Sequence, residues 1–173
     1  MDFRLYQRRR THFNVATPTQ VVIEARSWIG TPYHRRAAIK GAGVDCGMLP
    51  YAVLRKFDLI PEFDIAYLSN DWFNNTTQEK YLLMVQRYLR RLVGGRVSRN
   101  FPALPGTLAC VRVVGSRVFN HSGIVTQWPR VVHATWEGVR EVNASVDPMW
   151  ACMEIEIYDP WGYVQQEEAV SVR

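Results

Sequence analysis

Two short stretches, GTPY at residues 30–33 and GVDCGML at residues 43–49, decide how this chain folds and where its chemistry lies. The second stretch places Cys46 at the junction between a loop and a predicted helix. A helix N-terminus presents unpaired backbone N–H groups and the positive end of the helix dipole, which favours a thiolate and lowers the pKa of a cysteine. Cys46 is therefore the candidate nucleophile.

Two histidines lie far downstream in alternating, strand-like sequence: His121 in NHSGIV at residues 120–125 and His133 in VVHA at residues 131–134. They are twelve residues apart, an even number, so both can face the same side of a sheet. A hairpin centred on Gln127 would place them directly opposite each other, with Cβ atoms about 5 Å apart. This pattern predicts a base and its orienting partner.

A single histidine in a strand is more often only a hydrogen-bonded residue. The ordered combination with Cys46 favours catalytic roles, with His121 taking the thiol proton and His133 holding the His121 ring in its working tautomer. Asn120 and Asn143 are the alternative orienting residues.

These pieces, in this order, resemble the NlpC/P60 family of papain-like cysteine peptidases that cut cell-wall peptides. The resemblance covers residues 17–142 and rests on five motifs: GTPY, DCGML, PGTL at residues 105–108, HSGI and VVHA. The long opening at residues 28–46 is most similar to the peptidases encoded with phage tails and gene transfer agents.

The resemblance implies hydrolysis of peptidoglycan stem peptides at the bond between D-γ-glutamyl and a diamino acid, without a metal or an organic cofactor. It places the Tyr33 hydroxyl near the oxyanion position and the Asp45 carboxylate opposite a free amine of the substrate. Their alternative roles are a core tyrosine and a helix N-cap. The chain departs from the family at Gly47 and Met48, where serine and glycine are usual, and at Pro50.

Composition predicts one domain. The chain has 173 residues, 47% of them hydrophobic, and a formal net charge of +5. Its three cysteines are an odd number at irregular spacing, which argues against a disulfide framework and against a zinc site. Cys110 and Cys152 are expected to be buried thiols. The arginine concentrations carry no recognised nucleic-acid motif.

No apolar run approaches the roughly 18 residues that a membrane helix needs, and the N-terminus lacks the features of a cleaved signal peptide. We therefore expect a protein made in the host cytoplasm and carried in a virion, as part of a phage tail or a tail-like particle. The expected partners are tail-tip proteins and the peptidoglycan peptide.

Helix signals come first along the chain. Residues 1–16 form a predicted basic arm, and Thr17 then starts a helix as the N-cap of a capping box. A second helix is expected from near Cys46 to near Phe57, with a distorted first turn or a late start because of Pro50. A third, inserted helix is predicted over residues 76–93, with Gly94 and Gly95 as its stop.

Strand signals follow from residue 107. About five antiparallel strands are predicted, with a type II′ turn at Gly115-Ser116 in the first hairpin. The expected fold is α+β and papain-like, with N-terminal helices packed on this sheet. The domain should span residues 17–158, followed by an acidic tail at residues 159–173. Two other functions stay open: a structural tail-tip component with little or no activity, and an amidase or acyltransferase.

Overall fold

The computed structural model describes residues 16–62, 76–98, 100–151 and 153–161. Within these ranges the chain forms three helices and eight strands, in the order expected for an α+β protein. In chain order they are α1 (Pro18–Arg26), β1 (Ala38–Ile39), β2 (Gly43–Val44), α2 (Met48–Lys56), α3 (Lys80–Tyr88), β3 (Arg90–Arg96), β4 (Leu108–Val111), β5 (His121–Gln127), β6 (Arg130–Thr135), β7 (Gly138–Asn143) and β8 (Glu154–Asp159).

The larger sheet has six strands in the order β3-β8-β4-β5-β6-β7, and every neighbouring pair is antiparallel. The small β1–β2 sheet is separate. The three helices pack against one face of the large sheet through a shared apolar core. A second core covers the other face and includes Trp150. The α+β prediction is confirmed, with six strands in the large sheet rather than five.

The start of α1 follows from its sequence. The Gln20 backbone N–H donates to the Thr17 hydroxyl, and the Gln20 side chain accepts from the Thr17 N–H, which completes the predicted capping box. Pro18 occupies the first turn, where its missing N–H costs nothing. The helix ends at Arg26, and Ile29 beyond it is 48% exposed.

The third helix is shorter than predicted. It ends at Tyr88, because Leu89 takes an extended backbone conformation. Residues 90–96, expected to continue the helix and its Gly-Gly stop, form the edge strand β3 on β8 instead. The helix predicted for this segment from the spacing of its apolar residues is therefore wrong. The segment forms a strand because it pairs with β8, a contact that local propensity does not reveal.

Ion pairs reinforce the pairing of β3 with β8. Arg90 contacts Asp159 and Arg91 contacts Glu156, each at 2.9 Å. Both arginines, which belong to one of the arginine-rich stretches of the sequence, therefore pair with acidic side chains within the fold.

The first hairpin joins β4 to β5 as predicted, but through a longer connection. The turn runs from Val113 to Ser116, closed by the Ser116 N–H donating to the Val113 carbonyl at 2.9 Å. Gly115 has a φ of +83° and is the second central residue of this turn. A glycine in that place is typical of type II rather than the predicted type II′.

The β5–β6 hairpin has a different register from the one predicted. His133 lies opposite Gly123 rather than opposite His121, and an irregularity between Val125 and Gln127 shifts the pairing near the turn. The error is two residues. An even shift keeps side chains on the same face, so both histidines still lie on one side of the sheet.

Several predicted features lie outside the described residues. They include nearly all of the basic arm, most of the acidic tail, and Cys152. Cys110 is described and fully buried in β4, as predicted. Among the helices within the described ranges, none is long and apolar enough to cross a membrane.

A buried carboxylate joins the first two helices. Glu24 in α1 is only 7% exposed and accepts hydrogen bonds from Lys40 at 2.6 Å, from Trp28 at 3.0 Å, and from Lys56 of α2. Burial by itself would raise the pKa of Glu24, but the hydrogen bonds from Lys40, Lys56 and Trp28 outweigh it and lower this pKa. The ionised carboxylate therefore stabilises the packing of α1 on α2.

We predict that Glu24→Gln lowers the free energy of unfolding by about 1–3 kcal/mol at neutral pH, because two ammonium groups lose their shared partner. The folded-state pKa lies below the ordinary value of 4.5. The contribution of Glu24 is therefore complete above that value and is lost as the pH falls through the folded-state pKa. Urea unfolding across pH should show the deficit of the variant shrinking in acid.

The matched control is Asp58→Asn, which removes a carboxylate that is 74% exposed and pairs with Arg55. This change should alter stability by less than about 0.5 kcal/mol. A Glu24→Gln deficit no larger than that of the control would contradict the role of the buried carboxylate.

Candidate functional site

The Asp45 carboxylate organises the loop that precedes α2. Its Oδ1 accepts from the backbone N–H of Gly47 at 3.0 Å and of Met48 at 2.8 Å, and its Oδ2 accepts from the Arg36 N–H at 2.7 Å. Asp45 therefore makes capping contacts at the start of α2, although the N-cap position itself is Gly47, two residues later than the expected cap.

The second helix starts late, at Met48 rather than near Cys46, as Pro50 had suggested. Cys46 thus lies just before the first turn. Its side chain is half-buried, and its thiol donates to the Asn120 carbonyl oxygen with an Sγ–O distance of 3.9 Å. This contact places Cys46 against the residue that immediately precedes His121.

The protonation state of Cys46 differs from the one expected. Burial, together with the nearby charge of Asp45, raises the pKa of the Cys46 thiol to about 12. The backbone N–H groups of Cys46 and Gly47 oppose this shift but do not cancel it. The expectation of a lowered pKa is therefore wrong for the free protein, in which the thiol keeps its proton.

His121 and His133 form a buried pair. The His121 Nε2 lies 2.9 Å from the His133 Nδ1, and the two rings are nearly perpendicular at 86°. His121 is 5% exposed and His133 is fully buried. Both rings lie on the sheet face opposite the helices, with Trp150 packed edge-on against each of them.

Trp150 fixes the tautomers of this pair. Its indole N–H donates to the His133 Nδ1 at 3.2 Å, and an indole nitrogen can only donate. The His133 Nδ1 is therefore an acceptor, and the His121 Nε2 must carry the proton shared between the two rings. The His121 Nδ1 consequently keeps a free lone pair, as a general base requires.

Sequence reasoning missed Trp150. The backbone N–H of Trp150 closes a turn on the Asp147 carbonyl at 3.0 Å, which brings the ring beneath the histidines from a connection between strands. The sequence around residue 150 does not indicate that Trp150 contacts the histidines, because this contact depends on how the segment between β7 and β8 folds back against the sheet.

Both imidazoles are neutral. Burial lowers the pKa of His121 to about 3, and the neighbouring His133 adds to this effect. Burial likewise lowers the pKa of His133 to about 4, where Asp147 opposes the shift and Arg140 supports it. In the free protein the Cys46 thiol, which contacts the residue before His121, and the histidine pair are therefore all neutral.

The remaining candidate residues separate into two groups. Tyr33 lies near the nucleophile: burial raises the pKa of its hydroxyl, and the charge of Asp45 raises it further. Asn120 and Asn143, the alternative orienters, use their side-chain oxygens to accept backbone N–H groups of nearby turns. His133 is therefore the described side chain that hydrogen-bonds the His121 ring.

An apolar groove with a volume of about 370 Å³ runs between α2 and α3 and begins at Gly47. A Cβ at position 47 would lie 3.7 Å from the Asp45 carboxylate and 3.9 Å from the Tyr81 ring, which are ordinary contact distances. Space alone therefore does not require glycine at this departure from the NlpC/P60 motif. Glycine lines the groove without the side-chain volume that serine would add.

Comparisons with solved structures identify the fold. The NlpC/P60 domain of the peptidoglycan hydrolase SagA superposes with a TM-score of 0.50 and 18% identity, over 82% of this chain and 98% of that one. An NlpC/P60 family protein from Bacillus cereus ATCC 10987 also has a TM-score of 0.50, at 13% identity. That match covers 81% of this chain and 40% of the other.

These matches show that the chain has the NlpC/P60 papain-like fold. Comparison of the sequence with family models finds no match, and neither does comparison with curated proteins. The similarity is therefore carried by the tertiary structure and by a few short motifs.

We predict that His121 and His133 stay neutral between about pH 5 and pH 8, because burial lowers both pKa values below that range. Two-dimensional ¹H–¹⁵N spectra of the imidazole nitrogens should show both rings protonated on Nε2. A His34→Gln variant assigns the signals of His34, which is exposed. Titration of either buried histidine between about pH 5 and pH 8 would contradict the predicted neutrality, and a His133 ring protonated on Nδ1 would contradict the tautomer assignment.

Proposed function

We propose that this protein is a cysteine peptidase that hydrolyses peptidoglycan stem peptides. The observation that carries the proposal is the 2.9 Å contact between His121 and His133, with Cys46 beside the start of the same strand. Both structural neighbours named above are NlpC/P60 proteins, and one is described as a peptidoglycan hydrolase.

The proposed reaction starts from the neutral pair. The Cys46 thiol turns from the Asn120 carbonyl towards His121, and its proton passes to the His121 Nδ1 as Sγ attacks the peptide carbonyl carbon. The leaving amine takes that proton when the C–N bond breaks, which leaves a thioester on Cys46. His121 then removes a proton from water, and the oxygen attacks the thioester carbonyl carbon. The C–S bond breaks to release the carboxylic acid, and Sγ takes the proton back from His121.

His133 supports both steps by accepting a hydrogen bond from the His121 Nε2–H. This bond keeps the proton on Nε2 and leaves the lone pair on the His121 Nδ1. The scissile bond we propose lies between D-γ-glutamyl and a diamino acid. Tyr33 is the proposed neighbour of the oxyanion. Asp45 is the proposed partner of the substrate amine, in addition to its observed capping contacts.

One observation favours a second function. The thiol is protonated, and its hydrogen bond goes to a backbone carbonyl rather than to an imidazole within the described ranges. This geometry suits a structural tail-tip component that keeps the fold with weak or no activity. Turnover by the purified protein separates the two proposals.

We predict that purified muropeptides are cleaved by the wild type and not by Cys46→Ala. His121→Ala should lower kcat by about 10²–10⁴-fold, since nothing described nearby replaces the base. His133→Asn should leave measurable activity, because the amide oxygen of asparagine can still accept a hydrogen bond from the His121 Nε2–H. Liquid chromatography with mass spectrometry of the products measures all of these effects.

The control is Gln127→Ala, at the exposed far end of β5, which should not change the rate. Equal losses in His121→Ala and His133→Asn would contradict the division of roles. Absence of cleavage by the wild type would favour the structural component.

We also propose that the protein is carried in a phage tail or tail-like particle, together with tail-tip proteins. This proposal rests on the similarity of residues 28–46 to tail-encoded peptidases. Immunoblotting of gradient-purified particles should detect the protein in fixed proportion to a tail protein. Its presence only in the unsedimented lysate would favour a freely released enzyme.

A further inference from the structure

The first turn of α2 lacks one backbone hydrogen bond. The Leu49 N–H donates to the Asp45 carbonyl at 3.0 Å, and the Tyr51 N–H donates to the Gly47 carbonyl at 3.4 Å. The bond between these two would run from residue 50 to the Cys46 carbonyl. Residue 50 is proline, which has no N–H, so the helix itself cannot satisfy this carbonyl.

A side chain from the sheet supplies the missing donor. The Ser122 hydroxyl donates to the Cys46 carbonyl oxygen at 3.1 Å. Ser122 follows His121 in β5 and is fully buried, on the sheet face that meets the helices. The residue next to the proposed base therefore bonds directly to the backbone of the proposed nucleophile.

Tyr81 of α3 fixes the direction of this bond. Its hydroxyl lies within hydrogen-bond distance of the Ser122 hydroxyl. A carbonyl can only accept, so the one proton of Ser122 goes to Cys46, and Tyr81 must donate to Ser122. Tyr81 is 7% exposed, and burial raises its pKa well above the ordinary value, which keeps the donating proton in place.

We propose that Ser122 is a positioning residue whose hydroxyl replaces the backbone N–H that Pro50 lacks and thereby holds Cys46 at the start of β5, with Tyr81 orienting that hydroxyl. The inference rests on the proposed role of Cys46 as the nucleophile. Its physical basis is that a buried carbonyl without a donor is costly, and that a small displacement of a nucleophile slows attack strongly.

The test is a double-mutant cycle between positions 122 and 50. Pro50→Ala restores an N–H that can donate to the Cys46 carbonyl within the helix. We expect Ser122→Ala to speed amide hydrogen exchange at Met48 about tenfold and to lower kcat about tenfold or more at unchanged KM. In the Pro50→Ala background, the same change should have less than about a threefold effect on either quantity.

The matched control is Ser145→Ala, because the Ser145 hydroxyl oxygen is buried without a hydrogen-bond partner in the described part of the chain. It should affect neither quantity. Equal effects of Ser122→Ala in both backgrounds, or no effect in either, would overturn the proposal. Tyr81→Phe gives a second cycle with Pro50→Ala if Ser122→Ala does not fold, and equal acceleration in both backgrounds would again overturn it.

The exchange measurement does not require a substrate. If the wild type fails to cleave muropeptides, the proposed function fails, yet the exchange rates at Met48 still decide whether Ser122 substitutes for the missing helix donor. If cleavage occurs and the cycle shows no coupling, the peptidase proposal stands and the positioning role fails.

Discussion

The contact between the first turn of α2 and the start of β5 holds the candidate site together. On one side, the Cys46 thiol donates to the Asn120 carbonyl; on the other, the Cys46 carbonyl accepts from Ser122. The first bond ends on Asn120, just before β5, and the second comes from Ser122 within β5, which pairs with β4 and β6 in the middle of the sheet. The position of Cys46 is therefore set by the sheet as much as by its own helix.

Burial has a second consequence, because it keeps the reacting groups uncharged. The pKa of Cys46 is raised to about 12, and the pKa values of His121 and His133 are lowered to about 3 and 4. A thiolate–imidazolium pair is therefore not the resting state of this site. In the proposed reaction, proton transfer must accompany the arrival of the substrate, which also moves the thiol away from Asn120.

The elements that the sequence predicted well are those with local causes. The capping box at Thr17 and the late start of α2 follow from side chains and a proline within one turn of each helix end. The strands from β4 to β8 were predicted from strand-like sequence between turn signals, although β4, β5 and β6 are buried almost throughout because both faces of the sheet are covered. Strand β3 was predicted as a helix, because its apolar spacing continued that of α3, and only pairing with β8 from the far end of the chain overrode it.

For the site, the sequence by itself determined the order of Cys46, His121 and His133 and placed both histidines on one face. Side chains alternate between the two faces of a strand, so a register shift of two residues leaves each side chain on the same face. The two-residue error in the hairpin register therefore did not change the predicted face of either histidine. Only the tertiary structure decided the tautomers, the protonation states and the bond from Ser122 to Cys46. These depend on burial and on contacts with Trp150 and Tyr81, which are brought in by distant segments and leave no periodic signal in the chain.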